Sequence, residues 1–235
     1  MEPTVMEFSL EKGQTEKGYY TVSNLDKKPL SIAVRTEEMD RSSSFADEAR
    51  DSGLTIPVRS FILAPGEKKM IPYTVRLSSD SGREKALMVY FSYTPVERTG
   101  LNLIPRFGSA VYVMDKNDQK VCLQISAMRV IREKQGLGFE INLTNSGNVH
   151  SVPRGSLILS DEQDERMGYL VLSSSTPILA NDKGSLRAWW KEYPGPGKYK
   201  ARFMLFYSQD KEKEPEKIIR EFLFLIDKEG RIIRE

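Results

Sequence analysis

Apolar and polar residues alternate with a period of two through most of the chain. In "PLSIAV" (29 to 34) Leu30, Ile32 and Val34 share one parity, in "MIPYTVRL" (70 to 77) Ile71, Tyr73, Val75 and Leu77 do, and in "KALMVYFSY" (85 to 93) Leu87, Val89, Phe91 and Tyr93 do. A strand turns successive side chains to opposite faces, so each row predicts a strand buried on one side. Helical spacing is not sustained anywhere, apart from one turn's worth at "FADEARD", 45 to 51. The longest apolar runs, "FLFLI" at 222 to 226 and "MVYF" at 88 to 91, are strand-sized, far short of the roughly 20 residues that span a bilayer as a helix.

Three segments recur in the same order, about 115 to 121 residues apart. "GYYTVSN" (18 to 24) returns as "GFEINLTN" (138 to 145), both ending on an asparagine and a polar loop. "FILAPGEKKMIPYTVRL" (61 to 77) returns as "PILANDKGSLRAWWKEY" (177 to 193), and "GREKALMVYFSY" (82 to 93) as "GKYKARFMLFY" (197 to 207). This predicts two related domains, residues 1–116 and 117–235, joined near "MDKNDQK" at 114 to 120. Strands separated by Gly, Pro, Asn and Asp turns in units of this size indicate an all-β protein made of two immunoglobulin-like β-sandwiches, a fold of about 100 residues per domain. One cysteine, Cys122, excludes an internal disulfide, so apolar packing alone must hold them; Cys122 itself is expected to be a small buried hydrophobe on a strand.

Composition narrows the function. The chain has 39% hydrophobic and 29% charged residues, ordinary for a packed soluble protein, and a net charge of +2 from 35 basic and 33 acidic residues. With no field to gather polyanions, a nucleic-acid partner is not expected. The opening "MEPTVMEFSL" lacks the basic and apolar regions of a secretory signal, which leaves a cytosolic protein or an exported one whose signal has been removed.

Candidate chemistry is sparse. His150, the single histidine, lies in "NSGNVHSVPRG" between two strands, where Asn and Gly serve turn geometry, and is expected to be structural or solvent-facing. A catalytic triad or a metal centre needs several converging groups, and no catalytic or cofactor motif surrounds it. The acidic run "SDEQDER" (160 to 166) lacks calcium-loop spacing and is expected to be a hairpin tip, and "KEKEPEK" (211 to 217) a solvated loop. Adjacent Trp189 and Trp190 on a strand point to opposite faces, so at most one joins the core. No catalytic residue, metal site, cofactor or small-molecule substrate is expected, and the chain is read as a non-enzyme.

Across nearly its whole length the chain resembles the periplasmic pilus chaperones of the PapD-like superfamily. The likeness is carried by "PTVMEFSLEKG" and "YYTVSN", by "LTIPVRSFILAPGEKKMI" (54 to 71) with Phe61, Leu63, Pro65, Gly66 and Glu67, by "PRFGSAVYV" (105 to 113), and in the second half by "INLTNSGNVHSVPRGSLIL" and "PGPGKYKARFMLFY". The resemblance implies two sandwiches set at an angle, a periplasmic location, and an edge strand lent to a pilin-like or other surface-fibre subunit, with an outer-membrane usher as a further partner. The strand in question is "LNLIPRFGSAVYVM", 101 to 114, in which Leu101, Leu103, Phe107, Val111 and Val113 share one parity. Val111 and Val113 are expected in the chain's own core, while Leu101, Leu103 and Phe107 project into the partner beside Arg106, the nearest basic residue. The family's anchoring basic pair, one residue on the first strand and one before the "VYV" piece, falls near Val5 or Met6 and near Ala110, so neither is matched. Pro105 is expected to remove a backbone donor from the lending strand. The rival reading is a structural or adhesive two-domain module without strand lending.

Overall fold

A computed structural model describes residues 1–39, 53–79, 82–97, 104–174, 176–207 and 216–234. Leu101, Leu103, the 45–51 segment and residues 211–215 lie outside the described residues. The chain divides into two compact units, Met1–Gln119 and Lys120–Glu235. Among the described residues there is no helix, and every regular element is a strand.

The first unit contains β1 (Val5–Leu10), β2 (Thr15–Ser23), β3 (Leu30–Glu38), β4 (Leu54–Thr55), β5 (Ser60–Leu63), β6 (Lys68–Arg76), β7 (Lys85–Pro95) and β8 (Arg106–Asp115). They form two sheets in the orders β1-β8-β7-β3-β5 and β2-β6-β4. The alternating rows become the inner faces: Leu30, Ile32 and Val34 of β3, Leu87, Val89 and Phe91 of β7, and Ile71 and Val75 of β6 are all buried in one cluster with Tyr20 and Val22 of β2. Each such side chain withdrawn from water contributes about 1.5–3 kcal/mol. Tyr20 bridges the two sheets, its ring 5.2 Å from Phe91 and 5.3 Å from Tyr73.

The second unit contains β9 (Leu123–Glu133), β10 (Gly136–Asn145), β11 (Arg154–Asp161), β12 (Arg166–Ser173), β13 (Lys183–Trp190), β14 (Gly197–Tyr207), β15 (Glu216–Ile226) and β16 (Ile232–Arg234). Its sheets run β13-β10-β9 and β12-β11-β14-β15-β16. Phe139, Phe203 and Phe224 are fully buried between them with Leu157, Leu159 and Leu186. The units differ at their first strand. β9 stays beside β10 throughout, whereas the segment before β1 meets β2 at a single bridge, Glu2 to Thr21, and β1 itself joins β8 on the opposite sheet.

Several expectations resolve here. The acidic run at 160 to 166 is the tip of the β11–β12 hairpin, where Asp161 Oδ1 accepts the backbone N–H groups of Gln163 and Glu165 and Asp164 adopts a positive φ of 63°. Trp190 is buried and Trp189 is 58% exposed, as opposite faces of β13 require. His150 is buried in the loop after β10, which makes it structural and not solvent-facing. Cys122 departs from expectation: it is half-buried on the loop before β9 and lies on no strand. The ladder of β9 begins one residue later at Leu123, which takes the core position, while the carbonyl of Cys122 accepts the Ser146 N–H at 2.9 Å.

Candidate functional site: a half-open edge on β8

β8 is held along its length by β7, in a register running from Ser92 opposite Arg106 to Lys85 opposite Val113. On its other side β1 pairs with it in parallel only from Ala110 to Asp115. The Ala110 N–H donates to Thr4 O at 2.9 Å, and there the pairing ends, because Glu2 exchanges two hydrogen bonds of 2.9 and 2.8 Å with Thr21 of β2. Among the described residues no strand lies against that side of Arg106–Ser109.

The polarity of this half-edge follows from one bond. The Tyr93 N–H donates to Pro105 O at 3.0 Å, so residues of Pro105's parity turn their backbone groups toward β7. Residues of the other parity, Arg106 and Gly108, turn N–H and C=O outward, as Ala110 does toward Thr4. The expected loss of a backbone donor at Pro105 therefore falls on the β7 side. Its missing N–H would have faced β7, so the open flank keeps the donors and acceptors of both outward residues.

Side chains follow the same alternation. Ser109, Val111 and Val113 are buried in their own sandwich, as expected for the two valines. Phe107 has the same parity yet is 52% exposed, and Ile104, three residues earlier, is 53% exposed. The Phe107 ring meets Tyr93 edge-on at 5.2 Å, and about half of the side chain stays accessible. Leu101 and Leu103, which continue the row in sequence, lie outside the described residues.

Arg106 projects from the opposite face of the sheet. Its guanidinium carbon lies 3.5 Å from the centroid of the Tyr90 ring on β7, and its Nη2 pairs with Glu37 on β3. The pair is part-exposed, with 44% of the Arg106 side chain and 25% of that of Glu37 accessible. Arg106 is therefore already matched by a carboxylate. Val5 and Ala110, where the resemblance places basic residues, are direct register partners across β1 and β8. The structure brings these two positions together, and both are apolar.

Deeper along β8, Tyr112 is buried and its phenol is pushed up to about 12 by burial and by the nearby carboxylates of Glu84 and Glu7. The hydroxyls of Tyr20 and Ser109 are buried close together without a well-aligned hydrogen bond; burial raises the Tyr20 phenol and the Ser109 hydroxyl partly offsets this. Among the described residues no three His, Cys, Asp or Glu side chains converge as metal ligands would. Sequence reasoning missed Tyr90, Glu37 and Gly108, which share the outer face with Arg106. Gly108 carried the one available signal, a glycine inside a strand, which marks a close approach: a Cβ there would stand 2.8 Å from Met88 Sδ and 3.3 Å from the Tyr90 ring.

No family model matches the chain, and no curated protein matches it. Solved structures do match. The class 5 fimbriae chaperone CfaA aligns over 93% of this chain and 96% of its own, at 14% identity and a TM-score of 0.53. A chain from the chaperone–tip adhesin complex of CFA/I fimbriae biogenesis aligns over 93% and 95%, at 12% identity and a TM-score of 0.52. The all-β, two-sandwich architecture of this chain is the fold of PapD-like fimbrial chaperones.

Proposed function

We propose that the chain is a non-catalytic periplasmic chaperone that stabilises a pilin-like or other surface-fibre subunit by lending it the half-open edge of β8, with residues 1–116 as the lending domain and 117–235 as a second immunoglobulin-like domain. The observation that carries this reading is the flank of Arg106–Ser109. Two outward residues offer backbone donors and acceptors there, and a half-exposed phenylalanine stands on the core-facing side. An incomplete sandwich that paired with this edge would continue the sheet past β8 and receive Phe107, and in sequence Leu101 and Leu103, into its own unfilled core. Backbone bonds supply affinity and the alternating side chains supply fit. An outer-membrane usher is the natural acceptor of such a complex. The basic anchor of the family is absent at Val5 and Ala110, so the edge and its apolar row carry the binding without it.

The test is affinity purification from the native source with mass spectrometry of the copurifying proteins, for the unaltered chain and for Phe107→Asp. A fibre subunit recovered with the former and lost with the latter, at equal melting temperature, supports strand lending. A partner retained by Phe107→Asp rejects it in favour of a structural or adhesive module that binds elsewhere.

A further inference from the structure

The half-open edge poses a mechanical problem. Over Arg106–Ser109 the strand is hydrogen-bonded on one side only, and a strand paired on one side at its entry from a loop frays. Yet the lending reading needs it straight and ordered before a partner arrives. Arg106, the first residue of β8, does not stand on the edge. It lies back across the sheet, over Tyr90 of the adjacent strand, to Glu37 on the strand beyond, a reach of about 10 Å at the usual strand spacing. Gly108 makes room for this: it sits opposite Tyr90 and has no side chain to displace the ring or the Met88 thioether that leans over it.

We infer that Arg106 is a positioning residue, part of a clamp with Tyr90 and Glu37 that holds the unpaired half of β8 in strand geometry before the partner binds, and is not a cation kept free for a partner's carboxylate. The inference rests on the lending reading for its purpose, but the clamp itself is a property of the free chain. It replaces on the outer face the restraint that β1 gives to the other half of β8, and leaves the outward N–H and C=O groups of Arg106 and Gly108 unobstructed. An edge ordered in advance loses less conformational freedom on association.

The experiment is residue-resolved amide hydrogen exchange on the purified full chain, with no partner present. Arg106→Met, Tyr90→Leu and Glu37→Gln should each speed exchange at Phe107 and Phe91 about fivefold or more. The Arg106→Met, Tyr90→Leu double variant should be no faster than either single one. Val111 and Val113 should keep their protection and the melting temperature should hold. Arg106→Lys, which can keep a cation over the ring and a pair with Glu37, should retain most of the protection. Unchanged exchange at Phe107, or a change spread through the whole unit, overturns the clamp. With the fibre subunit recovered as above, all three single variants should weaken binding alike. Loss confined to Arg106→Met would mean direct contact and also overturns it. Because the exchange arm needs no partner, its failure leaves strand lending standing, whereas retention of the subunit by Phe107→Asp rejects strand lending without touching the exchange rates.

Discussion

Asn24 and Asn145 occupy the same place in the two sandwiches and make the same bonds. Each is fully buried just past or at the end of the second strand of its unit. Asn24 Nδ2 donates to the carbonyls of Lys28, Leu63 and Ala64 at 2.9 to 3.1 Å, and Asn145 Nδ2 to those of Val149, Ile178 and Leu179 at 2.8 to 3.2 Å. Each Oδ1 accepts the backbone N–H two residues on, from Asp26 at 2.9 Å and from Gly147 at 3.0 Å. One side chain thus ties the strand end to its own loop and to a distant segment, in both units.

Replacing either asparagine by alanine strands several buried carbonyls and should cost about 2–4 kcal/mol. Aspartate should be no better, because it presents an acceptor to three acceptors. Denaturant unfolding of Asn24→Ala and Asn145→Ala checks this, and the losses should be similar because the bond sets are.

The open flank predicts an asymmetry at Gly108. Proline there removes an N–H that faces outward and takes no part in the β7 ladder, while alanine meets Met88 in the same way but keeps that N–H. Both should unfold at similar denaturant concentrations. Subunit capture should fall at least about tenfold more for Gly108→Pro than for Gly108→Ala, from a lost backbone bond and a blocked approach. Equal capture by the two would show that the partner does not use this edge.

Alkali should loosen the first unit. The phenols of Tyr20 and Tyr112 ionise near about 10 in an unfolded chain, and burial raises both in the folded one, Tyr112 to about 12. The folded state then holds protons that the unfolded state has released, so the stability these groups contribute is whole below about pH 10 and is lost as pH rises through about 12. The melting temperature should fall between about pH 9.5 and about pH 11.5, and Tyr112→Phe should make that fall shallower.

The tryptophan pair separates core from surface. Trp190→Ala opens a cavity between the sheets of the second unit and should cost about 3–5 kcal/mol. Trp189→Ala, on the 58% exposed face, should change stability by less than about 0.5 kcal/mol. Equilibrium unfolding measures both, and the single-tryptophan variants should differ in emission, with Trp190 the more blue-shifted.

What the sequence determined by itself was everything that repeats locally. The parity rows at Leu30 to Val34, Ile71 to Leu77 and Leu87 to Tyr93 are set by neighbours two residues apart, and each became a core face. The paired asparagines were legible as a recurring strand end, since a turn is a local event. What only the tertiary structure decided was which flank of a strand has a neighbour and which charge already has a partner. β8 is half open because the N-terminal segment crosses from Thr21 on one sheet, at Glu2, to Ala110 on the other, at Val5, and Arg106 is occupied because residues 69 apart in sequence meet over Tyr90. Cys122 was misjudged for the same reason. Parity says which side a residue turns to, but only the register of strands distant in sequence says what stands there.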